Sequence, residues 1–467
     1  MPDPAPAPPP DLSRASATAQ RRVLVVAILA SFVSFLDGSV VNVALPAISR
    51  DLVTGPLVGL SLQQWVVDAY LLTLGALILL AGSLSDVLGR RRVLVSGLIG
   101  FALASVLCAI APTGLLLVLA RALQGVAGAL LVPSSLAMII AAYSGAAQAR
   151  AIGIWTAWTG TASIAGPLLG GLLVDHATWR WVFWINVPVL AVTLLLVRGI
   201  APDAPPSTRR RIDVVGAVLA VVGLAGAVLA LIEQGRLGWT HPVVLGGLVL
   251  GVVGLVAFVA WERRAPDPML PLRLFSSRTF AWGNLATAAV YAALYVGGLL
   301  VTLFLQEVAG WSATAAGLSQ LPITLLMLAL SARFGALAGR FGPRLFMTVG
   351  PLVGALGYLL MLGATEDVRY ATQLLPGLLV FGLGLAITVA PLTAAILGAV
   401  RPSDAGIGSA VNNAVSRVAG LVSVAMLGTV VGGALTVDGF HRGLVVVASL
   451  LVLGGLVSLV GIRNPKV

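Results

Sequence analysis

Apolar runs of about 20 residues or more recur along the chain, and they constrain its fold more than any other feature. Two of the longest cover residues 93–111 and 115–142. A helix of this length crosses the hydrocarbon core of a bilayer. Only 10% of the 467 residues are charged, whereas soluble domains carry roughly 25%. The sequence therefore predicts an integral membrane protein.

The apolar runs predict fourteen helices, arranged as six, then two, then six. Their ranges are 23–46, 61–81, 93–111, 115–141, 148–174, 181–199, 213–232, 242–262, 279–305, 313–336, 345–363, 371–398, 405–432 and 442–461. We expect an all-α fold of two six-helix bundles, at 23–199 and 279–462, with two extra transmembrane helices between them. Residues 200–278 are predicted to hold a cytoplasmic linker and this inserted pair. The Pro-rich residues 1–22 are predicted to be a disordered cytoplasmic tail, and 463–467 a short one.

Basic residues are distributed unevenly between the two sides of the predicted membrane. Of the 28 basic residues, five lie on one side: Arg50, Arg180, Arg236, Arg369 and Arg442. Three fall within or at the ends of apolar runs: Arg121, Arg333 and Arg417. The other 20 lie on the side of the two termini. Because positive residues favour the cytoplasmic side, we expect a multi-pass protein of the cell membrane with both termini in the cytoplasm. The Arg-rich, nearly Lys-free composition is typical of a GC-rich bacterial genome.

Several functional classes are disfavoured by residues that the chain lacks. Its only lysine is Lys466, so the sequence has no phosphate-binding loop of the G-x-x-x-x-G-K-[ST] type. Its single cysteine, Cys108, permits no internal disulfide. The histidines (His176, His241 and His441) are far apart, so no metal site is expected. We expect a monomer without enzymatic activity, cofactor or nucleic-acid partner.

A loop pattern occurs twice, 253 positions apart, each time after the second helix of a six-helix set. The first copy contains Gly82, Asp86, Gly89, Arg90 and Arg91, and the second copy is 335–344. This repeat indicates two parallel halves, which place a substrate site near the midplane between them. The second copy has Gly339 in place of the acid, so we expect it to keep the turn without the charge.

Two ionisable residues with complementary charge lie in the predicted helices: Asp37 in the first and Arg121 in the fourth. A charge at the centre of a membrane helix costs roughly 2.5–3.5 kcal/mol to insert, and such residues usually have a function. We interpret Asp37 as a proton-binding residue and Arg121, which shares a helix face with Gln124, as its partner. The alternatives are a purely structural ion pair, or an Arg121 that bonds only to backbone carbonyls.

A further acid, Asp68, lies in the second helix between Trp65 and Tyr70. It is a candidate for binding a cationic substrate, with the two aromatic rings beside it. The alternative is a solvated position near the outer leaflet. Glu233 and Glu307 lie at helix ends and are interpreted as solvated.

The fifth helix carries small residues along one face: Gly153, Ala157, Gly160, Ser163, Pro167 and Gly171. Small residues let helices approach closely, and glycine with proline allows bending. The stripe therefore predicts tight packing, a hinge, or both. Candidates for a cavity lining are Trp155, Trp158, Tyr291 and Tyr295, although such residues are also common at membrane interfaces.

Taken together, these patterns resemble the fourteen-helix drug:proton antiporter branch of the major facilitator superfamily. The resemblance covers about residues 23–462 and is carried by 36–46, 82–91, 121–125, 160–171, 179–188 and 406–417. It implies the major facilitator fold and proton-linked export of a small molecule.

The resemblance also implies roles for individual residues. Asp37 and Arg121 would couple proton movement, and Gly82, Asp86, Gly89, Arg90 and Arg91 would gate the cytoplasmic side. The antiporter hinge would be formed by Gly160, Gly166, Pro167, Gly170 and Gly171. Gln124 and Asn413 are further candidates for the substrate cavity.

Three functions remain open at this point. The first is proton-coupled export of amphipathic molecules such as drugs, dyes or antibiotics, and the second is export of one metabolite or lipid-like product. The third is a membrane receptor or scaffold without transport. Apart from the marginal Glu307, the last six helices contain no deep acid, which weakens the case for multivalent cationic drugs.

Overall fold

The computed structural model describes residues 12–55, 57–200, 212–401 and 404–464. Within these ranges thirteen helices are long and apolar enough to cross a membrane, and a shorter apolar stretch over Trp181–Val197 lies at the position of the predicted sixth span. The helices are α1 (Leu12–Asp51), α2 (Gly59–Leu88), α3 (Arg90–Ala109), α4 (Gly114–Ala142), α5 (Gly145–His176), α6 (Trp181–Trp184), α7 (Asn186–Val197), α8 (Val214–Leu237), α9 (Pro242–Glu262), α10 (Arg278–Leu303), α11 (Ala313–Ser319), α12 (Leu321–Phe341), α13 (Pro343–Leu360), α14 (Leu375–Gly398), α15 (Ala405–Ala425), α16 (Leu427–Val431) and α17 (Val437–Gly461). The predicted all-α membrane fold is confirmed.

Some helix boundaries differ from the prediction. Three predicted spans are each divided into two helices, and in two of them a proline follows the break: Pro188 lies near the start of α7 and Pro322 in the first turn of α12. Proline is tolerated in a first turn, where its missing N–H has no partner to lose. α1 begins at Leu12, so the tail that we expected to be disordered is helical from that residue. Residues 1–11 and most of the predicted linker, 201–211, lie outside the described residues.

The described ends of the chain lie on one face of the helical body. Gln20 donates to the carbonyl of Ala142 at 2.9 Å, and Arg22 to that of Gly199 at 2.8 Å. At the other end of the chain, Asn464 donates to the carbonyl of Phe341 at 3.3 Å. We call this side the terminal face and the other side the opposite face.

The two six-span sets pack in corresponding ways. Helices α2 and α3 both contact α4, as α12 and α13 both contact α14, and α1 contacts α5 as α10 contacts α15. The repeated loop also has the same backbone form, because Gly89 and Gly342 join their helices at φ values of 95° and 84°. Glycine adopts this left-handed region without strain. The pattern seen in the sequence thus corresponds to a repeated arrangement of helices.

The inserted helices α8 and α9 pack mainly on each other, and α8 also contacts α2. Trp65 of α2 donates its indole N–H to Glu233 of α8 at 3.1 Å, and Arg236 pairs with the same carboxylate at 2.8 Å. Glu233 is buried, so our interpretation of it as solvated was wrong. The helix-end position concealed this burial, because the neighbour that covers it lies far away in sequence.

At the terminal face, an ion cluster joins the segment before α10 to the loop before α15. Arg273 lies 3.0 Å and Arg401 2.9 Å from the carboxylate of Asp404. Hydrogen bonds from Arg273 and then Arg401 hold the pKa of Asp404 below its ordinary value.

Candidate functional site

Asp37 and Arg121 form an ion pair within the first six-span set. An Nη1 proton of Arg121 is donated to Oδ2 of Asp37 at 2.5 Å. Asp37 is 0% and Arg121 1% exposed, so water does not reach the pair in this conformation. Two helices distant in sequence, α1 and α4, are thereby joined by opposite charges.

Two amides complete the surroundings of the Asp37 carboxylate. Gln124 and Asn186 each donate to its Oδ1 atom at 2.9 Å. The same Gln124 amide also donates to Ser105 at 2.9 Å, and its carbonyl oxygen accepts from Arg121 at 2.6 Å. Both carboxylate oxygens of Asp37 therefore accept hydrogen bonds from buried donors.

Arg121 has further partners that do not depend on Asp37. Its Nε proton is donated to the carbonyl of Val66 at 3.0 Å. The guanidinium lies over the ring of Tyr70 at 4.3 Å and that of Phe183 at 5.8 Å. These contacts hold Arg121 in place whether or not the acid carries a charge.

Our sequence reasoning missed Asn186, Ser105 and Phe183 as members of this network. The sequence indicates Asn186 as a candidate network residue, because a polar side chain inside an apolar span needs a hydrogen-bond partner. In the sequence it lies within the stretch 179–188 that carries the resemblance. Ser105 had no comparable signal, because a serine can bond to its own helix backbone.

The three candidates on α2 do not form one pocket. Asp68 is 0% exposed, and neither of its carboxylate oxygens has a hydrogen-bond partner. Trp65 contacts Glu233, whereas Tyr70 shares a hydrogen bond with Ser34 at 3.1 Å and faces Arg121.

Other candidates lie at several places between and beside the two sets. Trp155 donates to Ser31 of α1 at 3.0 Å, and Trp158 is 55% exposed. Asn413 donates to Ser409 of its own helix at 3.1 Å. Tyr291 and Tyr295 lie on α10, are partly accessible, and are discussed below with Arg417.

The small residues of α5 make close contacts along its second half. A Cβ atom on Gly166 would collide with Ser39 of α1, and one on Gly170 would lie 2.8 Å from the carbonyl of Val40. Gly171 lies against the backbone of Thr314 at the start of α11. Glycine at these positions therefore allows α5 to approach both α1 and the second six-span set.

The same half of α5 belongs to a seal at the opposite face. Asp175 accepts hydrogen bonds from the backbone N–H groups of Ala313 at 3.1 Å and Thr314 at 2.8 Å. Beside them, Gln63 of α2 donates to Glu307 at 2.6 Å. Glu307 is exposed, as expected, but is engaged in this contact.

In the first half of α5 the glycines make no such close contacts. A Cβ atom added to Gly153 or Gly160 would meet nothing within 4 Å. α5 contacts α11 extensively but α12 only sparsely, so the two sets lie close together at the opposite face and farther apart toward the terminal face. The structure thus represents one of the two states that alternating access requires.

The predicted gating residues lie at the terminal face, where α2 meets α3. Gly89 forms the turn, and Arg91 donates to the carbonyl of Val197 at 3.3 Å. An added Cβ on Gly82 would meet nothing within 4 Å. Arg90 is partly accessible, and the side chain of Asp86 is not among those described.

A large apolar groove lies away from the ion pair. It has a volume of about 680 Å³ and runs between the inserted pair and helices α10, α15 and α17. None of the candidate cavity residues lines it. The buried charges and the groove are therefore separate features of the molecule.

A buried ion pair within one of two repeated six-span sets, closed at one face and open at the other, defines a secondary transporter. The profile of the Major Facilitator Superfamily matches residues 27–424. The chain belongs to this superfamily.

Several similar proteins are named for resistance or export, and three of them come from bacteria. The chain is 37% identical over 417 residues to the puromycin resistance protein of Streptomyces alboniger, covering 88% of this chain and 82% of the relative. It is 36% identical over 412 residues to the multidrug resistance protein Stp of Mycobacterium tuberculosis, covering 88% and 76%. It is 35% identical over 414 residues to a cephamycin export protein of Amycolatopsis lactamdurans, covering 88% and 84%.

Among solved structures, the chain is similar to a peptide transporter POT in complex with sulfate. The TM-score is 0.68 at 17% identity, and the match covers 94% of each chain. This likeness confirms the major facilitator fold.

Proposed function

We propose that the protein is a proton-coupled antiporter that exports amphipathic small molecules across the cell membrane by alternating access. The observation that carries the proposal is the sealed pair of Asp37 and Arg121, a titratable acid held in the membrane beside a permanent cation. The relatives named for resistance and export support the direction of transport. One proton moving across 100 mV releases about 2.3 kcal/mol, enough for a substrate gradient of about 40-fold.

Protonation of Asp37 would act on the hinge through α1. A neutral Asp37 no longer balances the charge of Arg121, and its protonated oxygen can accept fewer of the present donors. Ser39 and Val40, two and three residues further along α1, are the residues against which Gly166 and Gly170 of α5 pack. A shift of α1 on protonation therefore reaches α5 directly.

The proposal assigns the terminal face to the cytoplasm, because most of the basic residues lie there. The state described is then open to the cytoplasm, where a substrate for export would enter. Gly82, Asp86, Gly89, Arg90 and Arg91 would gate this face. The protein would act as a monomer, without enzymatic activity, cofactor or nucleic acid.

The test is proton release by proteoliposomes when candidate compounds are added. We expect release with the wild type and none with Asp37→Asn. The matched control is Asp51→Asn on the same helix, because Asp51 is 48% exposed and pairs with Arg180 outside the buried network. Equal responses from wild type and Asp37→Asn would refute the coupling role.

Export of a single compound is the second candidate, favoured by the two relatives named for one compound each. Proton release by several chemically unrelated compounds would decide for the broad exporter. Binding of a compound without any proton movement would instead indicate a receptor.

A further inference from the structure

Arg417 is another arginine within a membrane-spanning helix, and it differs from Arg121 in being partly accessible and in having no acidic partner among the described residues. It lies near the middle of the span that covers Ala405–Val431. Its Nη1 proton is donated to the hydroxyl of Tyr295 at 2.6 Å, and its guanidinium lies 5.4 Å from the ring centre of Phe35. Within the described residues, no carboxylate lies within ion-pair distance of it.

Within the described part of the chain, the Tyr295 hydroxyl accepts the one hydrogen bond that this guanidinium donates. Arginine stays charged under physiological conditions and carries five N–H donors. Inserting such a charge at the centre of a membrane helix is costly. The Arg417 side chain is partly accessible, so a partner from outside the chain can reach its free donors.

The surroundings of Arg417 favour an aromatic anion as that partner. Phe35 on α1 and Tyr291 and Tyr295 on α10 are partly accessible, and they come from both six-span sets. Asn413, one helical turn before Arg417, adds an amide. Together they provide one positive charge, neutral hydrogen-bonding groups and aromatic surfaces.

The nearby membrane acids are not available to a ligand. Asp37 is enclosed by Arg121, Gln124 and Asn186. Asp68 is 0% exposed. The accessible charge between the two sets is therefore positive.

We propose that Arg417 binds the acidic group of an amphipathic organic anion, a carboxylate, sulfonate or phosphate. Phe35, Tyr291 and Tyr295 contact the apolar part of this molecule. The inference rests on the proposed export function and names the substrate class for it. A guanidinium suits this role because it forms paired, charge-assisted hydrogen bonds with oxyanions.

The test uses three ligands that share one ring and differ in charge: 2-naphthoate, 2-naphthamide and 2-naphthylmethylammonium. Affinities are measured by calorimetry on purified protein without a proton gradient, so the result does not depend on coupling through Asp37. We expect the wild type to bind the naphthoate at least tenfold more tightly than the amide, about 1.4 kcal/mol. Arg417→Gln removes this preference, Arg417→Lys retains part of it, and Arg369→Gln, which changes an exposed arginine, leaves it intact.

Tyr295→Phe provides a second variant if Arg417→Gln fails to fold. It keeps the ring and removes the hydroxyl that holds the guanidinium, so we expect weaker binding of the naphthoate alone. The proposal is overturned if the wild type does not prefer the carboxylate, or if Arg417→Gln weakens all three ligands equally. Displacement of naphthoate by phosphatidate from the wild type, but not by inorganic phosphate, would assign the site to a lipid headgroup and overturn the substrate role.

Discussion

Replacing Gly171 with alanine is expected to open the seal at the opposite face. The added carbon would lie 2.7 Å from the backbone nitrogen of Thr314 and 2.8 Å from the carbonyl oxygen of Ala313. Backbone atoms cannot rotate aside, so α5 and α11 must separate. Such overpacking costs about 1–3 kcal/mol, which corresponds to a population shift of roughly 5- to 150-fold. The higher helix propensity of alanine stabilises α5 equally in both conformations, so it does not change the ratio of their populations.

The matched control is Gly153→Ala on the same face of the same helix. An added carbon there meets nothing within 4 Å, so the state described is not penalised. Both variants gain one methyl group on α5. A difference between them therefore reports the contact with α11 and not a general effect on the helix.

The assay is the distance between spin labels in a background in which Cys108, the only cysteine, is replaced. Labels at Val53 and Asp367 report the opposite face, since both residues are exposed and belong to different six-span sets. We expect a longer distance in Gly171→Ala and an unchanged one in Gly153→Ala. An unchanged distance in a folded Gly171→Ala protein would refute the idea that close contact of α5 with α11 maintains the seal.

Three further predictions concern stability and accessibility. Asn186→Ala removes a donor to the buried Asp37 and should destabilise the protein by about 1–3 kcal/mol, which lowers its melting temperature. Asn413→Ala loses only a bond within its own helix and should lower the melting temperature less. The pKa of Asp404 is lower in the folded protein, so its ion pairs stabilise the fold above the unfolded pKa of about 4 and are lost as the pH falls through the folded pKa. Asp404→Asn should therefore have a lower melting temperature than the wild type at pH 7, and this difference should disappear in acid. A difference that stays constant with pH would contradict the prediction. Cys108 is 0% exposed, so maleimide should label it slowly in the folded protein and rapidly after denaturation; fast labelling of the folded protein would disprove its burial.

The all-α membrane class and the approximate positions of the apolar spans followed from the sequence alone, because hydrophobic length is a local property of the chain. The breaks within three of these spans did not. The deep charges at Asp37 and Arg121 were also visible there, since each is costly in a membrane wherever the helix packs. The turn glycines Gly89 and Gly342 were found through the repeat for a similar reason: the backbone conformation that favours glycine is local.

Only the tertiary structure decided which helix lies beside each helix face. Helical spacing places Tyr70 on a different face from Trp65 and Asp68, but it does not identify α8 as the neighbour of Trp65 or α4 as the neighbour of Tyr70. Asn186 joined the ion-pair network for the same reason, because its partner lies 149 positions away. The sequence also did not show which end of α5 is closed, because small residues occur along the whole helix. The position of the second six-span set decides that one end of α5 is closed and the other open.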